Sequence, residues 1–113
     1  MHELPVTEGI LRVVLPAAER AGAERITEIR LKVGVLSGVV PECIQEYLDM
    51  IAAGTVAEGA RIIAEEAPIR ILCRSCKAES PVTRGTDTCP LCGSRDFKIV
   101  AGWEVEVGSI TAE

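Results

Sequence analysis

Two short repeats, "CRSC" at residues 73–76 and "CPLC" at 89–92, constrain this 113-residue chain more than any other feature. A CxxC turn aims both of its sulfurs at one point. Two such turns twelve residues apart, with Gly93 after the second, supply the four thiolates of a closed tetrahedral site. Zinc is the metal this pattern suits best. Iron in the same four thiolates is the chief rival, and paired redox disulfides are the next alternative. Four thiolates leave no open coordination position, so the predicted metal is structural and not catalytic. Between Cys73 and Cys92 the main apolar residues are Val82 and Leu91, so the segment depends on its metal to fold. Cys43 lies outside the cluster and reads as a small, partly buried apolar residue.

The rest of the chain must build a conventional core. Apolar residues make up 48% of it, but Tyr47, Phe97 and Trp103 are its only aromatics, so that core is aliphatic. Residues 6–21 carry Ile10, Val13, Val14, Ala17, Ala18 and Ala21 at helical spacing, with Pro16 expected to kink or break the helix and Gly22 to stop it. Over 25–36 the period changes: Ile29, Leu31, Val33 and Val35 alternate with Arg30, Lys32 and Gly34, as in a strand with one buried face. Pro41 and Glu42 suit the start of a second helix, with Ile44, Tyr47, Leu48 and Ile51 inward and Gly54 closing it. A second strand is expected over 60–72, interrupted at Pro68, and a third over 97–111. Gly34, Gly38 and Gly54 read as turn and cap glycines.

The fold class expected is therefore α+β. A small three-stranded sheet carries two helices on one face, with a four-cysteine zinc-ribbon module inserted at the tip of an antiparallel strand pair. The domain division is 1–72 with 97–113 for the α/β part, and 73–96 for the ribbon.

The formal charge of −5 argues against nucleic acid, whose binders present a basic face. Four zinc-bound thiolates with one divalent ion lower it by a further two. No secretory signal or membrane-length apolar run is visible, which makes the cytoplasm the default location. No nucleophile stands beside a base in a recognised motif, and no phosphate-binding glycine loop occurs, so an enzyme is not expected. Glu65, Glu66, Glu104 and Glu106 read as solvated faces.

His2 is the only histidine. The terminal amine of Met1, the His2 amide nitrogen and the His2 imidazole can close two fused chelate rings on one ion. Once the amide is deprotonated, this planar nitrogen set suits Ni(II) or Cu(II). It fills three corners of a square, leaving the fourth for the Glu3 amide, a water or a partner's donor. Histidine is too large a second residue for ordinary removal of the initiator, so Met1 is expected to remain.

With both ends of the chain in view, it resembles the HypA family of hydrogenase nickel-incorporation proteins over essentially its whole length. The resemblance is carried by Met1-His2-Glu3, by "IRLKVGVLSGVVPE" from Ile29 to Glu42, and by Gly54-Thr55 with Glu58-Gly59-Ala60. It is carried further by the two CxxC pairs, by "CPLCGS" and by "GWEVEVGSI". It implies a metallochaperone that binds Ni(II) through the His2 position and holds structural zinc on Cys73, Cys76, Cys89 and Cys92. Such a protein works with a HypB-type GTPase to load the large subunit of [NiFe] hydrogenase, some members also serving urease. It implies no enzyme activity; a monomer or weak homodimer is expected. Unlike some relatives, this chain has no histidine near its ribbon. The alternative function is a zinc-ribbon module for protein interaction or nucleic-acid binding without a nickel role. A third reading, a thiol oxidoreductase, predicts reversible disulfides in the CxxC pairs.

Overall fold

The computed structural model describes residues 3–113, which form an elongated body 52 × 28 × 17 Å. In chain order the elements are α1 (Glu3–Arg20), β1 (Ile26–Gly34), α2 (Pro41–Ile51), β2 (Arg61–Ala67), β3 (Ile69–Cys73), β4 (Glu79–Val82), β5 (Phe97–Ala101) and β6 (Val105–Ala112). They build two three-stranded sheets, ordered β2-β1-β6 and β4-β3-β5.

In the first sheet β1 is central, parallel to β2 and antiparallel to β6. A parallel neighbour needs a crossover connection, and α2 supplies it. Ile29, Leu31 and Val33 of β1 turn inward as their alternation requires. They meet Ile10, Leu11, Val14 and Ala18 of α1 and Ile44 and Leu48 of α2 in one aliphatic core. Arg30 and Lys32 face away from the helices, opposite Ile63 and Glu65 of β2 and Ser109 and Glu106 of β6. Gln45 of α2 stitches helix to sheet: its amide accepts from the Ile62 N–H (2.7 Å) and donates to the Ala60 carbonyl (3.1 Å). Cys43 is half-buried on the same helix.

The first helix differs from expectation in two ways. It runs unbroken through Pro16, because that ring lies on the exposed side, where water can take up the carbonyl it leaves unpaired. Its buried stripe is Glu3, Thr7, Ile10, Leu11, Val14 and Ala18, so Leu11 goes inside and Val13 stays out.

The expected second and third strands are each two strands in different sheets. Residues 60–72 divide at Pro68, which cannot donate a ladder hydrogen bond, so β2 ends in the first sheet and β3 begins in the second. Residues 97–111 divide at Gly102–Glu104, where Gly102 takes a φ of 132°. β3 and β5 do form an antiparallel pair with the cysteines at its tip. The unforeseen β4 adds an edge strand whose Pro81 is tolerable only at such an edge.

The end of β1 joins the two sheets. The Gly34 N–H donates to the Glu104 carbonyl (2.8 Å), Val35 to Ala67 (3.0 Å) and Leu36 to Gly102 (2.7 Å). Arg84, from the loop after β4, donates to the Val35 carbonyl. Gly34 is thus a close-approach glycine: a Cβ there would lie 2.2 Å from the Gly102 oxygen. Gly38 and Gly54 do take positive φ, as turn glycines do. Among the described residues no helix is long and apolar enough to cross a membrane.

Candidate metal centre

Cys73 is the last residue of β3 and Cys76 closes the turn that follows, while Cys89 and Cys92 lie on the turn before β5. Both turns have the same backbone plan. The N–H one residue past the second cysteine donates to the carbonyl of the first: Lys77 to Cys73 at 2.9 Å, Gly93 to Cys89 at 2.8 Å. The N–H of the first cysteine closes back on the carbonyl five residues on, Cys73 to Ala78 at 3.0 Å and Cys89 to Ser94 at 2.8 Å. This plan puts Lys77 and Gly93 at φ of 66° and 78°. The turns are tied together by the Ser75 and Ser94 hydroxyls (2.9 Å) and by the Arg74–Asp96 ion pair (2.9 Å).

The four sulfurs lie within 4.8 Å of one another, with Cys73 to Cys92 at 3.6 Å and Cys76 to Cys89 at 3.8 Å. A tetrahedron with metal–sulfur bonds of about 2.3 Å has edges of about 3.8 Å. The donor set therefore fits a zinc-sized ion at its centre. Cys73 and Cys89 are buried, and Cys76 and Cys92 are exposed.

The sulfur environments are unequal. The Cys76 N–H above all, with the Ser75 N–H, holds the Cys73 thiol down to about 6 against the opposing effect of burial. At Cys92 the Ser94 N–H pulls downward, but Cys73, burial and the other two sulfurs push that thiol up to about 11. The two sulfurs lie 3.6 Å apart, so ionising one opposes ionising the other. Metal must displace the remaining protons.

At the other end of the molecule, Met1 and His2 lie outside the described residues. Glu3 opens α1 and is buried. Its Oε2 accepts from the Val40 N–H at 3.2 Å, and the Thr7 hydroxyl donates to its carbonyl at 2.5 Å. Val40 is the residue before α2, so the Glu3 carboxylate sits at that helix's positive end and joins the starts of both helices. Sequence reasoning missed this anchor and the Gln45 link. Extending the stripe of Thr7, Ile10, Leu11 and Val14 back by four residues places Glu3 inward, and that was the available signal.

A family described as "Hydrogenase/urease nickel incorporation, metallochaperone, hypA" matches residues 1–112. The chain belongs to the HypA family. Hydrogenase maturation factor HypA of Geobacter sulfurreducens is 37% identical over 113 residues, covering all of both chains. That of a Roseiflexus species is 36% identical over all of this chain and 93% of its own. The solution structure of the Ni metallochaperone HypA from Helicobacter pylori matches 99% of this chain and 97% of its own, with a TM-score of 0.73 at 17% identity. That likeness shows the fold, shared over nearly the whole of both chains.

Proposed function

We propose that this chain is a nickel metallochaperone. It takes up Ni(II) at its amino terminus and delivers it for maturation of [NiFe] hydrogenase. The match to the HypA family over residues 1–112 carries this reading, and no comparison favours a zinc ribbon without a nickel role. The nickel donors are the Met1 amine, the His2 amide and the His2 imidazole, with Glu3 next in line. The Glu3 carboxylate is engaged by Val40, which favours the Glu3 backbone nitrogen or a partner's donor for the fourth corner. The partners are a HypB-type GTPase and the hydrogenase large subunit, met in the cytoplasm, and the protein itself catalyses no reaction.

The four cysteines would hold zinc, which when bound supplies folding free energy and offers no open position for chemistry. Nickel and zinc are thereby kept apart by donor type, planar nitrogen against tetrahedral sulfur. The two sheets act as separate domains. Pro68 and Gly102 support a boundary slightly outside the 73–96 that the cysteines alone suggest.

Nickel titration of the zinc-loaded protein and of His2→Ala tests the terminal site. Loss of the tight site is expected in the variant, and unchanged stoichiometry and affinity would sink it. One extra residue before Met1 blocks the amine but spares the imidazole. Binding that survives this extension would rule out the fused chelate.

A further inference from the structure

The two outer strands of the first sheet are guarded differently. β2 carries Arg61, Glu65 and Glu66 and runs into Pro68, devices that discourage another strand from joining. β6, eight residues long, contains no Lys, Arg or Pro, and Glu106 is its only charge. Among the described residues no strand pairs with its outer side. Beside it, α1 overhangs the sheet and leaves an open groove of about 610 Å³, lined by Val6, Val13, Val39, Trp103 and Val107. Val13 and Trp103, which line it together, are 53% and 51% exposed, an apolar patch of the kind that marks an interaction surface.

We propose that the free edge of β6 and the groove under α1 receive an extended segment of a partner protein as a fourth strand, one in which apolar and basic residues alternate. Main-chain hydrogen bonds to β6 would give affinity, and alternate side chains specificity. Every second residue of the incoming strand falls beneath α1, against Val13, Val107 and Trp103. The residues between fall on the opposite face, where β6 presents Glu106. Charge selects the occupant. Outside 69–101 the chain has six Lys or Arg against fourteen Asp or Glu, so a basic segment is attracted. A second copy, bringing its own Glu104 and Glu106 to the same edge, is repelled.

The probe is an acetylated, amidated eight-residue peptide alternating Val and Lys, titrated into the full-length zinc-loaded protein. Expected are a blue shift of Trp103 fluorescence, amide shifts concentrated in 105–112 and at Val13, and slowed hydrogen exchange along β6. Replacing the peptide's lysines by glutamate should abolish binding. Trp103→Ala should weaken it roughly ten-fold and Glu106→Lys about five-fold, as expected for a buried aromatic anchor and an exposed charge pair. Shifts that map to the ribbon, equal binding of the glutamate peptide, or indifference to both variants would overturn the proposal. So would sedimentation showing that β6 pairs with a second copy instead. None of these readouts uses nickel, so they stand or fall apart from the terminal site.

Discussion

The two sheets of this molecule have the same number of strands and differ in what they bury. The β2-β1-β6 sheet closes over thirteen buried apolar residues drawn from both helices, β1 and the α2–β2 connection. The β4-β3-β5 half buries Ile69, Ile71, Ser80, Cys73 and Cys89, so two of its five buried side chains belong to the four-sulfur cluster. Charge divides the same way: residues 69–101 carry six Lys or Arg against three Asp or Glu, and the rest of the chain is strongly acidic. The net charge of −5 therefore describes neither half. One unit is stable because aliphatic groups leave water; the other has little to bury besides four converging cysteines, and on the proposed reading it gains its stability from the metal they hold.

The largest test removes the metal. A structural zinc site contributes on the order of 10–16 kcal/mol of apparent binding free energy, more than so small a unit can replace by packing. Chelation, or Cys89→Ser at a buried ligand, should collapse the amide signals of 69–101 into the unfolded region. The signals of β1, α1 and α2 should stay dispersed. If both halves unfold together by NMR, the ribbon is not a separate folding unit. If neither does, the metal is not what holds it.

How much of this division could be read in advance depends on the range of the signal. The cluster of four sulfurs is written in four cysteines within twenty residues, and β1 and α2 in local periodicity, so these were legible. The division of 60–72 and 97–111 between two sheets was not. β2 and β3 follow one another with a single residue between them, and only that residue, Pro68, marks where the chain changes partner. The parallel pairing of β1 with β2 depends on the α2 crossover, a long-range fact that alternation does not encode. The inward turn of Glu3 was obscured because the expected helix began at residue 6, which left Glu3 outside the periodic stripe, whereas the helix starts at Glu3 itself. Its acceptor role is set by the Val40 N–H, which lies 37 residues away.

The complementary test truncates the aliphatic core. Leu48→Ala or Ile29→Ala, both at fully buried positions, should cost about 2–5 kcal/mol of α/β stability and lower its melting midpoint. Zinc affinity measured by chelator competition should not move. A parallel loss of zinc affinity would mean that the two halves share one cooperative unit. Gly34→Ala then probes the seam between them. Its Cβ would meet the Gly102 oxygen at 2.2 Å, and both atoms are fixed by backbone hydrogen bonds, so one chain segment must move. A cost of about 1–3 kcal/mol is expected. Residual dipolar couplings should show each sheet intact but reoriented against the other. Unchanged couplings would show that the seam yields locally.

The smallest effect lies inside the metal site, where the comparison repeats between its two turns. Lys77 and Gly93 occupy equivalent positions, each donating to the carbonyl of its first cysteine, and both have left-handed backbone. Only one of them is a glycine. A side chain in that conformation costs roughly 1–2 kcal/mol, whereas glycine costs about 0.5–1 kcal/mol through the freedom it has in the unfolded chain. Lys77→Gly should therefore stabilise the ribbon by a few tenths to about 1 kcal/mol, a net of those two effects. On the proposed zinc reading folding and metal binding are one event, so the gain should appear as zinc held up to about five-fold more tightly. Gly93→Ala should shift affinity the other way by a similar factor. If Lys77→Gly weakens zinc instead, the lysine ammonium beside the anionic thiolates contributes more than its backbone costs. The decisive control is Lys77→Ala, which keeps the strained backbone and removes the charge: on the backbone account its zinc affinity stays near that of the wild type, and on the charge account it falls with the glycine variant.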